Sequence, residues 1–93
     1  MSLNAEPMIT IQSVEMEIAR ARVAQQVAKD QLMNGVVDQS QIARVLKEKF
    51  DEAYGPSWNC IVGNSFGSYI SHRTNNFIHF YIDNIAVLLY KSS

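Results

Sequence analysis

Cysteine is nearly absent from this 93-residue chain, where Cys60 stands alone. A single thiol cannot close an intrachain disulfide or build a cysteine-ligated zinc site. It is compatible with a reducing compartment. An excess of charge of one sign is lacking too. Eight Lys and Arg against nine Asp and Glu leave a formal net charge of −1. That provides no electrostatic footprint for nucleic acid or for an anionic membrane surface. No apolar run approaches the roughly 18 residues of a membrane-spanning helix. The first residues have neither the charged nor the apolar region of a signal peptide. No internal repeat or low-complexity segment occurs. These absences predict a soluble cytoplasmic protein that binds neither nucleic acid nor membrane.

What is present suits a globular chain. Apolar residues make up 47% of it, enough to exclude general disorder. The expected organisation is a flexible leader over residues 1–7 and one domain over 8–93. A core at this size is thin, and oligomerisation is a natural way to bury more surface. Residues 8–12 alternate and predict a short edge strand. Helical spacing follows over 15–33, with Met16, Ala19, Val23 and Val27 on one face and Ala21, Ala24, Ala28 and Leu32 extending it sideways. Asn34 and Gly35 tolerate left-handed backbone and end this helix. Asp38 then reads as an N-cap, with Gln41 three residues on as in a capping box. Ile42, Val45, Leu46, Phe50 and Ala53 form the stripe of a second helix, and Lys47, Glu48 and Lys49 form a solvated face. Gly55 and Pro56 stop it.

Beyond Pro56 the period changes to two. Residues 57–63, 66–72, 76–82 and 85–91 are four candidate strands, and Asp83-Asn84 is short enough for a two-residue hairpin turn. The order predicts an α+β fold with two helices packed on an antiparallel β-sheet.

The chain shows little chemistry. Cys60 with His72 or His79 is a nominal nucleophile pair, but Cys60 lies in the apolar run W-N-C-I-V-G, where a buried inert thiol is expected. Two histidines without carboxylates at ligand spacing make no metal site. No acidic pair is placed for acid–base work, and no glycine-rich segment opens a helix to cradle phosphate. Trp58, Tyr69, Phe77, Phe80 and Tyr81 could stack bases, yet without basic neighbours they read as packing residues. No cofactor and no catalysis are expected.

The weakest strand is the most informative. In S-F-G-S-Y-I-S-H, residues 65–72, Phe66, Ser68, Ile70 and His72 alternate with Gly67, Tyr69 and Ser71. Neither face is cleanly apolar, and a glycine sits inside. Such a segment is either an ordinary edge strand whose polar residues deter aggregation or an approachable backbone that accepts an extended peptide.

The run F-D-E-A-Y-G-P-S-W-N-C-I-V-G-N-S-F-G-S-Y-I-S-H, followed by F-I-H-F-Y-I and A-V-L-L-Y-K-S-S, closely resembles the small hub-type dynein light chains. That family carries F-D-x-x-Y-x-P-x-W-H-C-I-V-G-x-x-F-G-S-Y-V-T-H, then F-I-Y-F-Y and a closing apolar strand with K-S-G. I-Q-S-V-E-M at 11–16 is a weaker echo of its I-K-N-A-D-M. The helices match in position and pattern more than in identity.

The resemblance implies a homodimer with one strand, 66–72, exchanged between subunits, and two symmetric grooves that take short linear motifs of other proteins by strand addition. Many such motifs are of the T-Q-T type, and the dynein intermediate chain is the family's best-known partner. It implies a non-enzymatic subunit of the dynein motor on microtubules, in the cytoplasm or in a ciliary axoneme. A motor-independent scaffold or inhibitor for one dedicated partner is the alternative, with a cysteine-dependent enzyme behind it.

Matched residue by residue, the groove comprises Phe66, Gly67, Ser68, Tyr69, Ile70, Ser71 and His72 on the strand. Phe77, His79 and Tyr81 line its floor. Gln39 and Ser40 stand where the family holds a ligand glutamine against unpaired N–H groups of a helix start. Asn59, Phe66, Ser68, Ile70 and Ser92 match the dimer interface. Four departures stand out: Gln39-Ser40 for an acidic–lysine pair, His79 for tyrosine, Arg73 for glutamate, and Asn59 for a histidine that makes dimerisation acid-sensitive. Ser71 stands for threonine, and Ser92 matches a proposed phosphorylation site. These departures predict a shifted motif preference and a dimer more resistant to mild acid.

Overall fold

The computed structural model describes residues 7–64 and 76–92. Its elements are β1 (Ile9–Glu15), α1 (Ile18–Met33), α2 (Gln39–Tyr54), β2 (Trp58–Gly63), β3 (Phe77–Ile82) and β4 (Ile85–Lys91). The four strands form one sheet in the order β1-β3-β4-β2, with every neighbouring pair antiparallel. The expected α+β architecture, two helices on an antiparallel sheet, is what the chain adopts. The expected strand over 66–72 lies outside the described residues.

Local sequence explains most boundaries. Gly35 has φ +83. Its N–H bonds to Leu32 O at 3.1 Å and Val36 N–H bonds to Gln31 O at 3.0 Å. That is a Schellman closure, which a glycine makes without steric cost. The Asp38 carboxylate caps α2 through Ser40 N–H at 3.0 Å. The bond reaches the second helical residue, not Gln41 as a capping box would. Gly55 ends α2 at φ +84, and Lys91 Nζ donates to Tyr54 O at 3.2 Å, satisfying one of the last carbonyls of the helix. Asp83, at φ +53, turns β3 into β4. Ile82 and Ile85 face each other across this two-residue loop.

Four expectations need adjusting. β1 runs on to Glu15, so α1 begins at Ile18, not at 15. Three of those added positions keep sheet bonding to β3 through a register shift between Ile11 and Ser13, a bulge that periodicity alone does not reveal. β2 and β3 each start one residue later than read. The buried stripe of α1 is Ala21, Ala24 and Ala28, while Ala19 and Val23 are exposed. Small side chains permit close helix approach, so packing chose the alanines over the larger valine. On α2 the stripe narrows to Ile42, Leu46 and Phe50.

The core lies between the helices and one sheet face. Those six helix residues pack in one cluster with Trp58, Ile78, Phe80, Ile82, Val87 and Leu89. Phe50 sits edge-on to Trp58, with ring centroids 4.8 Å apart at 73°, the arrangement that ring quadrupoles favour. Arg20 lies 4.3 Å above the Tyr54 ring and donates to Asn76 Oδ1 at 3.3 Å, tying α1 to α2 and to the approach of β3.

Candidate functional site

Alternation in the strands sorts the candidate residues by face. Phe77, His79 and Tyr81 of β3 point away from the helix-side residues Ile78, Phe80 and Ile82. The register places them in rows across the sheet. Tyr81 faces Ala86, which faces Gly63. His79 faces Leu88, which faces Ile61. Phe77 faces Tyr90, which faces Asn59. At an interstrand spacing of about 4.8 Å, each row spans roughly 10 Å. The expected floor residues therefore form one stripe along β3, and Asn59 shares their face from β2.

His79 is 6% exposed and sits 5.5 Å from the Tyr81 ring, tilted at 34°. Burial holds its imidazolium below the usual histidine range, because desolvation penalises the charged form. Phe77, Ala86 and Leu88 around it are buried as well.

Asn59 Nδ2 donates to Ser92 Oγ at 2.6 Å. Two residues matched separately to the dimer interface are thus direct partners, held together because Ser92 N–H also bonds Ser57 O at 2.9 Å.

Gln39 opens α2, and its side chain reaches the end of β2, where Nε2 donates to Asn64 Oδ1 at 2.6 Å. This bond brings the helix start to the point where the chain leaves β2. Ser40 is otherwise engaged. Its N–H and its Oγ both donate to Asp38 Oδ1, at 3.0 and 3.1 Å. At this helix start the chain caps its own Ser40 N–H with Asp38. Phe66, Gly67, Ser68, Tyr69, Ile70, Ser71 and His72 lie outside the described residues.

Asn64 was not singled out from the sequence. Next to Gly63 it reads as a strand break, and only the folded backbone shows its side chain against Gln39. Cys60 is half-buried on β2. It packs against the core from β2, and burial pushes its pKa up to about 12. At neutral pH the reactive thiolate is scarce. Among the described residues, no cluster of three or more His, Cys, Asp or Glu could hold a metal, and no helix is long and apolar enough to cross a membrane.

The edges of the sheet complete the site. Among the described residues β1 and β2 are the outermost strands. Among the described residues, no strand pairs with the outer side of β2, which lies beside the start of α2.

Comparison with known proteins agrees with this geometry. The dynein light chain type 1 family model matches residues 8–92. A dynein light chain of Schistosoma mansoni is 54% identical over 54 residues, which cover 58% of this chain and 61% of that protein. The dynein light chain-like domain of a Fasciola hepatica calcium binding protein superposes with a TM-score of 0.79. It is 20% identical, and the match covers 100% of this chain and 99% of that one. The dynein light chain-like domain of CsTAL3 gives a TM-score of 0.69 at 19% identity, over 91% of this chain and 93% of that one. At those identities the two structures show the fold alone. The family match over residues 8–92 shows more: this chain belongs to the dynein light chain type 1 family.

Proposed function

We propose that the chain is a non-catalytic, homodimeric peptide-binding hub. Segment 66–72 of each copy adds to the open side of β2 in the other, and its far edge takes an extended segment of a partner protein. The observation that supports this most is the outer side of β2, unpaired among the described residues and joined at its end to the start of α2 by the Gln39–Asn64 bond. Strand addition needs such an edge, and a neighbouring helix turns it into a groove. In this reading Phe77, His79 and Tyr81 line the floor. Asn59 and Ser92 lie in the interface with Phe66, Ser68 and Ile70. The ligands are T-Q-T-type segments, among them the dynein intermediate chain. Two grooves hold two copies of a flexible chain and favour their pairing by effective concentration. Association with microtubule-bound dynein follows from the same reading.

The test joins two measurements. Sedimentation should give the mass of two chains. Fluorescence anisotropy should show saturable binding of a labelled T-Q-T peptide and none of its triple-alanine control. A monomer, or equal binding of both peptides, would contradict the reading. Binding of neither peptide by a folded dimer would favour a dedicated partner with a different motif.

A further inference from the structure

The proposed peptide groove uses one edge of the sheet, at β2. Among the described residues β1 is the other edge, and no strand pairs with its outer side. From Met8 to Val14 the chain has no charge, no proline and no glycine. Edge strands are commonly guarded by charges or prolines, which stop another chain from adding to them. An uncharged run of this length, rich in β-branched residues and lying on an edge, is of the kind that pairs with its own copies.

The bulge in β1 works in the same direction. Ile9 faces Ile82, Ile11 faces Phe80 and Val14 faces Ile78, all on the helix side of the sheet. Plain alternation would send Val14 to the opposite face, and the extra residue between Ile11 and Ser13 returns it. The helices, however, pack over β2, β3 and β4 and cover this end of the face poorly. Ile78, Phe80 and Ile82 are fully buried, while Ile11 is 45% and Val14 39% exposed.

We propose that β1 is a self-association edge, at which the β1 strands of two copies of this chain pair antiparallel. The occupant is a second copy because the edge complements itself. With Ile11 opposite Val14, the exposed apolar residues of both copies meet on the helix side, and Glu15 lies opposite Thr10 on the other face. No like charges oppose each other in that register. A charged segment of another protein would find no counter-charge between Met8 and Val14. The pairing leaves β2 untouched, so it does not depend on the peptide-binding reading. On the homodimer proposed above it links dimers end to end. A contact confined to one strand edge is smaller than a standard interface, and a dissociation constant on the order of 0.1–1 mM is expected.

Sedimentation equilibrium over a range of concentrations tests this. At low micromolar concentration it reports the base unit. By about 1 mM the weight-average mass of wild type should rise by half or more. Ile11→Lys and Val14→Lys each put a charge into the apolar contact and should hold the mass near that of the base unit. Met33→Lys makes the same charge change at an exposed apolar site on α1 and should associate like wild type. Urea midpoints matching wild type show that a variant is folded, and one folded lysine variant in β1 is enough for the comparison. A wild-type mass independent of concentration would overturn the inference. So would undiminished association of the folded β1 variants, or an equal loss in Met33→Lys. A base unit of one chain would contradict the homodimer reading and leave the comparison of variants decisive for this edge.

Discussion

The backbone N–H of Trp58 donates to Oδ1 of Asp51 at 2.8 Å, while the other carboxylate oxygen accepts from Lys47. One side chain on the last turns of α2 thereby fixes where β2 begins. The Lys47 bond, followed by the Trp58 bond, holds the Asp51 carboxyl below the usual carboxylate range. A carboxylate with a depressed folded pKa contributes stability above its unfolded pKa and loses it as pH falls through the folded one. Asp51→Asn should therefore lower the urea midpoint at pH 7. The gap between variant and wild type should narrow below pH about 4. A gap unchanged down to pH 2.5 would show that the charge is irrelevant.

Phe50 anchors the core under β2, fully buried against Trp58 and Tyr54. Phe50→Ala removes the ring and leaves a cavity. Destabilisation of about 3–5 kcal/mol is expected, measured by chemical denaturation. A loss under about 1 kcal/mol would mean that the site collapses freely.

His79 makes stability acid-sensitive in the opposite sense to a salt-bridged histidine. Burial lowers its folded pKa, so the unfolded chain binds the proton more readily. Stability should fall as pH drops below about 6.5, no more steeply than about 1.4 kcal/mol per pH unit for one proton. The decline ends once the folded pKa is passed. His79→Phe should flatten the curve between pH 7 and 5. An unaltered slope would assign the effect elsewhere.

Asn59 cannot take up a proton, and it bonds Ser92 Oγ. On the proposed dimer, Asn59→His should introduce acid dissociation between pH 7 and 5 beyond any seen in wild type, because a buried histidine that charges must leave its partner surface. Sedimentation at the two pH values reads this directly. Equal dissociation of both proteins would remove Asn59 from the argument.

Much of this was legible before folding because it depends on neighbours in the chain. Asn34-Gly35 and Asp38 mark the helix connection through local backbone geometry and a cap two residues away. Asp83-Asn84 turns β3 into β4 within a single loop. The long run from Phe50 to Ser92 resembled one family, whose model matches residues 8–92.

Other features depended on which surfaces met. Alternation alone could not show the register shift in β1 between Ile11 and Ser13, since a bulge is set by the partner strand. The apolar face read for α1 was centred on Met16, Ala19, Val23 and Val27 and extended sideways by Ala21, Ala24, Ala28 and Leu32, and packing buried Ala21, Ala24 and Ala28 most deeply. The bonds Gln39–Asn64 and Asn59–Ser92 join residues 25 and 33 positions apart. The order of residues determined which groups could cap, turn and hide from water. The packed backbone alone decided which distant polar groups met, because a hydrogen bond needs its atoms within about 3 Å and no sequence spacing of that length imposes it.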